Sequence, residues 1–155
     1  MPSVFLFAPQ DFRNLCVLSR SLEVFGQREC YVFDPYRLIR ERYGRYRVRE
    51  QRVVSAGAFQ KLDWRRVEEP EAFLAGWPGR VVGTVAEQSG IALTEFRFAE
   101  TDLLAFGSES QGLPTAVLSC WAASVTIPSR GQTQSLNLAV ALGITLFECS
   151  RQLGR

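Results

Sequence analysis

The chain has no histidine among its 155 residues. That absence excludes a Ser-His-Asp or Cys-His hydrolase and any His-ligated metal site within this sequence. Catalysis here must rest on Arg, carboxylates, Ser, Asn and backbone dipoles. Cysteine is also sparse. Cys16, Cys30, Cys120 and Cys149 are scattered with no C-x-x-C pair, so neither a zinc ribbon nor a disulfide framework is indicated, and all four are read as buried thiols. Long apolar runs are missing too: the run at residues 4–8 lacks the basic start of an export signal, and no later run reaches a membrane span. The expectation is a cytoplasmic protein with no membrane partner and no metal.

What is present points to a compact α/β chain with a basic stripe. A hydrophobic content of 46% over 155 residues is enough for one real core and short for two, so a single domain over residues 1–155 is expected. The net charge of +2 is unevenly spread. Residues 36–52 carry seven Arg against Glu41 and Glu50, giving +5, interleaved with Tyr36, Tyr43 and Tyr46. Guanidinium groups with aromatic rings between them offer phosphate contacts and stacking surfaces together, as an RNA-binding patch does. Arg37, Arg40, Arg42, Arg45 and Arg47 are its candidate residues; a solvated, salt-bridged surface is the competing reading.

Residues 3–8 read as a buried strand, 14–26 as a helix stopped by Gly26, and 29–34 as a second strand, the pattern of a right-handed parallel crossover. A short helix over 37–43 and a strand over 51–55 are expected in the basic segment. Further on, 69–75 reads as a helix with Pro70 in its first turn, 80–86 as a central strand, 102–106 as a strand, 114–121 as a short helix and 124–127 as a last strand. Residues 91–93 are ambiguous. The longest helix spans 135–151 and is apolar on nearly every side, which makes a second copy of the chain the simplest cover for it. Alternating strands and helices give an α/β layer structure with a mostly parallel sheet and helices on both faces.

Three stretches stand out by order and spacing. Asn14 and Arg20 lie on the first helix before Gly26. The strand-and-turn at 103–114 holds Gly107, Glu109 and Gly112. Ile127-Pro128 precedes Gln134-Ser135-Leu136-Asn137-Leu138. Taken together they resemble the three motifs of the SpoU/TrmH class of RNA 2'-O-ribose methyltransferases, members of the knotted SPOUT superfamily. The resemblance spans residues 9–152. Cys16 stands where many members have glycine, and Ser129 where a Met commonly follows Ile-Pro.

The resemblance implies an α/β-knot with a C-terminal trefoil knot, S-adenosylmethionine as cofactor, an RNA substrate, most often tRNA, and a homodimer whose active sites form between subunits. It implies catalytic roles for Asn14, Arg20, Glu109, Ser135 and Asn137. It places the cofactor against Gly107, Ile127 and Leu136, with Gly83 and Thr84 on the adenine side. A guanidinium is effectively always protonated, so Arg20 is read as a phosphate and alkoxide stabiliser rather than a literal base. An rRNA target, or a catalytically silent RNA-binding dimer of the same fold, are the alternatives carried forward.

Overall fold

The structure, a computed structural model, describes residues 1–39, 45–86, 90–114, 117, 120–133 and 135–155. Seven strands form one sheet: β1 (Ser3–Phe7), β2 (Glu29–Phe33), β3 (Asp63–Arg66), β4 (Val81–Val85), β5 (Ile91–Ala92), β6 (Leu103–Phe106) and β7 (Ala123–Thr126). Their order is β3-β2-β1-β6-β4-β7-β5, and every paired neighbour is parallel. The register sets Leu6 opposite Phe106, Val82 opposite Leu104 and Thr84 opposite Val125. The helices are α1 (Phe12–Val24), α2 (Arg45–Ser55), α3 (Pro70–Ala75) and α4 (Leu138–Leu153), with a 3-10 turn at Ala58–Lys61.

The apolar central strands are covered on both faces, as parallel sheets require. On one face Val4, Leu6, Val32, Val82 and Leu104 pack with Leu15, Leu18 and Leu22 of α1 and Leu142 and Leu146 of α4. On the other, Phe5, Leu103 and Ala105 pack with Leu74 of α3 and Val117. Helices α1 and α4 approach closely at Gly143, where an added Cβ would lie 3.4 Å from Ser21 Oγ. At the amino end of the strands, Arg80 Nε and Nη2 donate to the two oxygens of the fully buried Asp102 at 2.8 Å each, and Ala99 N donates to Oδ2 at 2.8 Å. Nearby, Glu148 is held by Arg151 at 2.6 and 2.8 Å and by Gln152 at 2.8 Å, which lowers its pKa to about 2.

Several expectations change. Residues 51–55 are not a strand but the end of α2, where Ser55 Oγ donates to Gln51 O at 2.6 Å and Gln51 is buried. Arg37 and Leu38 are not helical, and 40–43 lie outside the described residues. Strand β3 is an addition to the expected elements: Asp63, Arg65 and Arg66 are exposed on an edge and give no apolar signal in the sequence. The last helix begins at Leu138 rather than Ser135. Of the helix expected at 114–121, Val117 is helical and Pro114 is not, while 115, 116, 118 and 119 lie outside the described residues. Cys16, Cys30 and Cys149 are buried thiols outside any disulfide, whereas Cys120 is half-buried. Burial raises the Cys30 and Cys149 thiols well above their ordinary range. Among the described residues no helix is long and apolar enough to cross a membrane.

Candidate active site at the carboxyl edge of the sheet

The first and second motifs leave adjacent strands, β1 and β6, at the same end of the sheet. After β1, Ala8 takes a left-handed backbone (φ 48°), and Asp11 caps α1 by accepting from Arg13 N at 2.7 Å. After β6, Ser108 and Gly112 exchange backbone hydrogen bonds of 3.0 Å each, closing a tight turn. Gly107 makes that turn possible: an added Cβ there would sit 2.0 Å from the carbonyl carbon of Gly112. The turn aims Glu109 at the start of α1.

There the Glu109 carboxylate accepts from Gln10 N at 2.9 Å, Asp11 N at 3.4 Å and Asn14 Nδ2 at 3.0 Å. The amides at the entry to a helix have no partner within it, and a negative charge is favoured beside them. Asn14 Oδ1 in turn accepts from Asn137 Nδ2 at 2.9 Å, and Asn137 Oδ1 accepts from Ala139 N at 2.9 Å as the cap of α4. The polarity of this chain is fixed from both ends. A carboxylate only accepts and a backbone N–H only donates, so the two amides between them have one orientation that satisfies every bond. One residue from each motif is thereby joined in a single hydrogen-bonded line.

The remaining predicted residues are placed differently. Arg20 is exposed on α1, outside this line and on the same face as the exposed Val17 and Val24. Beside that face, α4 exposes Val140, Ile144 and Phe147. Ser135 is exposed and precedes the cap residue of α4 by two positions, so Asn137, not Ser135, caps the helix. Thr84 Oγ1 donates to Ala105 O at 3.0 Å, tying β4 to β6. Gly83 is buried, and the Trp121 indole fills the space of its missing side chain, at 2.2 Å from an added Cβ. Arg37 is exposed beyond β2; Arg45 and Arg47 fall in the first turn of α2; Arg40 and Arg42 lie outside the described residues. The backbone amides of Gln10 and Asp11 were not legible in the sequence as Glu109 partners, because main-chain donors carry no residue signature.

Ligands of parallel sheets bind beyond the carboxyl ends of the strands. Here that region holds Gly107 after β6, half-buried Ile127 after β7 and Leu136, which is 47% exposed although apolar. Main-chain polar groups beside exposed apolar side chains suit a nucleoside-bearing ligand such as S-adenosylmethionine. Among the described residues there is no cluster of His, Cys, Asp or Glu able to hold a metal.

The seven-stranded parallel sheet with its covering helices matches the solved structures of TrmH/SpoU methyltransferases. It superposes with a TM-score of 0.84 on a solved structure concerned with 2-OH methylation of C/U34 on tRNA, at 31% identity over 100% of this chain and 98% of the other. It also superposes on the SpoU methyltransferase AviRb of Streptomyces viridochromogenes in complex with AdoMet, with a TM-score of 0.76 and 26% identity over 97% of this chain and 60% of that one. The chain belongs to the SpoU rRNA methylase family, whose model matches residues 1–147. A tRNA (cytidine(34)-2'-O)-methyltransferase of Ancylobacter novellus is 35% identical over 104 residues, which are 67% of this chain and 58% of the relative's length.

Proposed function

We propose that this chain is an S-adenosylmethionine-dependent RNA 2'-O-ribose methyltransferase that acts in the cytoplasm on the wobble nucleotide of tRNA, as a homodimer of single domains each carrying the C-terminal trefoil knot. The observation that carries the reading is the line Glu109–Asn14–Asn137, which joins the three motifs through bonds of 3.0 and 2.9 Å. A silent RNA-binding dimer would have no need of it. The tRNA target is supported by the relative and the solved structure concerned with position 34.

When bound, S-adenosylmethionine supplies a methyl group on a positively charged sulfur, already activated for transfer. The protein's task is then alignment and the handling of one proton. Backbone groups of Gly107, Ile127 and Leu136 hold the cofactor, with Thr84 and the main chain of Gly83 on the adenine side. Asn137 and Ser135 orient the ribose, and Glu109 fixes Asn14 and the loop before α1. Arg20 binds the neighbouring phosphate and stabilises charge developing on the 2'-oxygen, with the proton passing to phosphate or water. Holding reactants in register supplies about 7 to 11 kcal/mol of such a barrier.

Arg20 stands on an exposed face with Val17 and Val24, next to Val140, Ile144 and Phe147 of α4. Two adjoining helices with apolar residues in water call for a cover. A second copy supplies it and carries each Arg20 to its partner's cofactor side. Arg37, Arg40, Arg42, Arg45 and Arg47 contact RNA phosphates.

The test is transfer of labelled methyl from S-adenosylmethionine to bulk tRNA and rRNA, followed by mapping of the modified nucleotide. Label at tRNA position 34 supports the reading, label in rRNA moves the target, and binding of RNA without transfer favours the silent dimer. RNA affinity falls steeply with salt if the stripe touches phosphates.

A further inference from the structure

A cavity of about 660 Å³ opens at the carboxyl ends of β2 and β3, away from the site just described, with Phe33, Asp34, Arg37, Arg66 and Glu68 among its lining. Its walls are built. Phe33 packs on Phe7 with ring centroids 5.1 Å apart. The Asp34 carboxylate accepts from Leu38 N at 2.9 Å and Ile39 N at 2.8 Å, and Arg66 Nη2 donates to Ile39 O, so the loop over 34–39 is pinned at both ends. Within that loop Arg37 is held at φ 53°, a left-handed conformation that a residue with a long side chain rarely adopts. Tyr36 stands beside it, 54% exposed.

The position of the cavity matters as much as its lining. Strand β2 is separated from β6 by β1 alone, so the carboxyl ends of these two strands stand roughly 10 Å apart along the sheet edge. An RNA strand laid across that edge would meet both. The Phe33 ring suits an unstacked base, a guanidinium suits its phosphate, and carboxylates accept from amino groups on a base edge. Asp34 spends only two of about four acceptor sites on the loop amides, and Glu68 is exposed at the mouth. Asp34 and Glu68 offset Arg37 and Arg66, so the lining carries no net charge and is a poor site for a bare anion.

We infer that this cavity receives one unstacked nucleotide of the RNA adjacent to the methylated one, with Arg37 on its phosphate and an amino-bearing base edge turned to Asp34 and Glu68. The inference rests on the RNA methyltransferase reading and adds a substrate subsite to it.

The test uses the full chain and single-stranded RNAs spanning the methylated position, intact or with one abasic nucleotide on either side. In the unaltered protein, one flanking abasic site weakens binding about tenfold, within the range measured for loss of a stacked base. In the double variant Arg37→Ala, Glu68→Gln the abasic penalty shrinks severalfold, because the nucleotide is no longer anchored by its phosphate and loses one of its two base-edge acceptors. An abasic penalty of equal size in both proteins overturns the subsite while the methyltransferase reading stands. Absence of S-adenosylmethionine binding and of methyl transfer in the unaltered protein overturns both. If the double variant fails to fold, Glu68→Gln alone, at an exposed position, carries the same comparison with intact RNAs. A cytosine-to-uracil exchange at the flanking position then costs the unaltered protein more affinity than the variant, and equal costs in both count against the subsite.

Discussion

Asn14 and Glu109 lie 95 residues apart in sequence and 3.0 Å apart in the structure, joined by a hydrogen bond whose direction cannot be reversed. Glu109 can only accept, so Asn14 must present its NH2 group there and its oxygen to Asn137. Asn14→Asp keeps an acceptor for Asn137 but removes the donor to Glu109 and sets a second carboxylate against it. Misplacement of catalytic groups by about 1 Å costs roughly 100-fold in rate, so kcat should fall by about that factor while S-adenosylmethionine binding, measured by calorimetry, changes little. An Asn14→Asp variant with kcat near that of the unaltered protein would remove this line from the mechanism.

Gly107→Ala tests the turn itself. The new methyl group would lie 2.0 Å from the Gly112 carbonyl carbon, a main-chain atom that cannot swing aside. The Ser108–Gly112 closure must open, at about 1 to 3 kcal/mol as for other overpacked sites, and Glu109 loses its aim. Chemical denaturation should show that loss, with methyl transfer abolished. Full activity in Gly107→Ala would mean the turn is not what positions Glu109.

The exposed face of α1 and α4 predicts its own disruption. Phe147→Asp places a charge on a residue 60% exposed in the single chain, so monomer folding should be spared while dimerisation is lost. Light scattering measures the mass, and a monomer should be inactive because Arg20 then has no partner site. Mixing Arg20→Ala with Asn137→Ala subunits asks the same question differently: shared sites restore part of the activity in heterodimers, and uniformly dead mixtures speak against sharing.

Glu148 gives a pH-dependent contribution to stability. Its pKa in the fold is lowered to about 2, first by the hydrogen bonds from Arg151 and then by those from Gln152. A carboxylate lowered by folding stabilises above its unfolded pKa, about 4.3, and that contribution drains away as pH falls toward 2. Because Arg151 is itself 56% exposed, solvent screening trims the effect to on the order of 1 kcal/mol. Glu148→Gln should therefore be less stable than the unaltered protein at pH 6, and the gap should narrow between pH 4.5 and 2 in denaturation curves. A gap independent of pH would rule out the ion pair as its source.

The sequence discloses the parts whose signal is local. Strands such as Leu103–Phe106, buried at every position, announce themselves by composition. Edge strand Asp63–Arg66 does not, since one covered neighbour demands little apolar surface of it. Val53 and Val54 favour a strand by propensity, yet they end α2, whose packing against α1 overrides that preference. Ser135 has the chemistry of a cap, but Asn137 takes the position because it must also reach Asn14. In the site, the residue types were readable from the three motifs. Their hydrogen bonds were not, because a contact between residues 14 and 109 leaves no trace in either local stretch.

Strand β1 lies between β2 and β6 and is buried from Val4 to Leu6. Its second neighbour is not made until residue 106 has been synthesised. At about 5 to 20 residues per second, the first strand of the chain waits roughly 5 to 20 s on the ribosome with one edge unpaired. The sheet therefore closes from the middle late in synthesis, and the interval before it does is when this protein is most open to wrong strand partners and to chaperones.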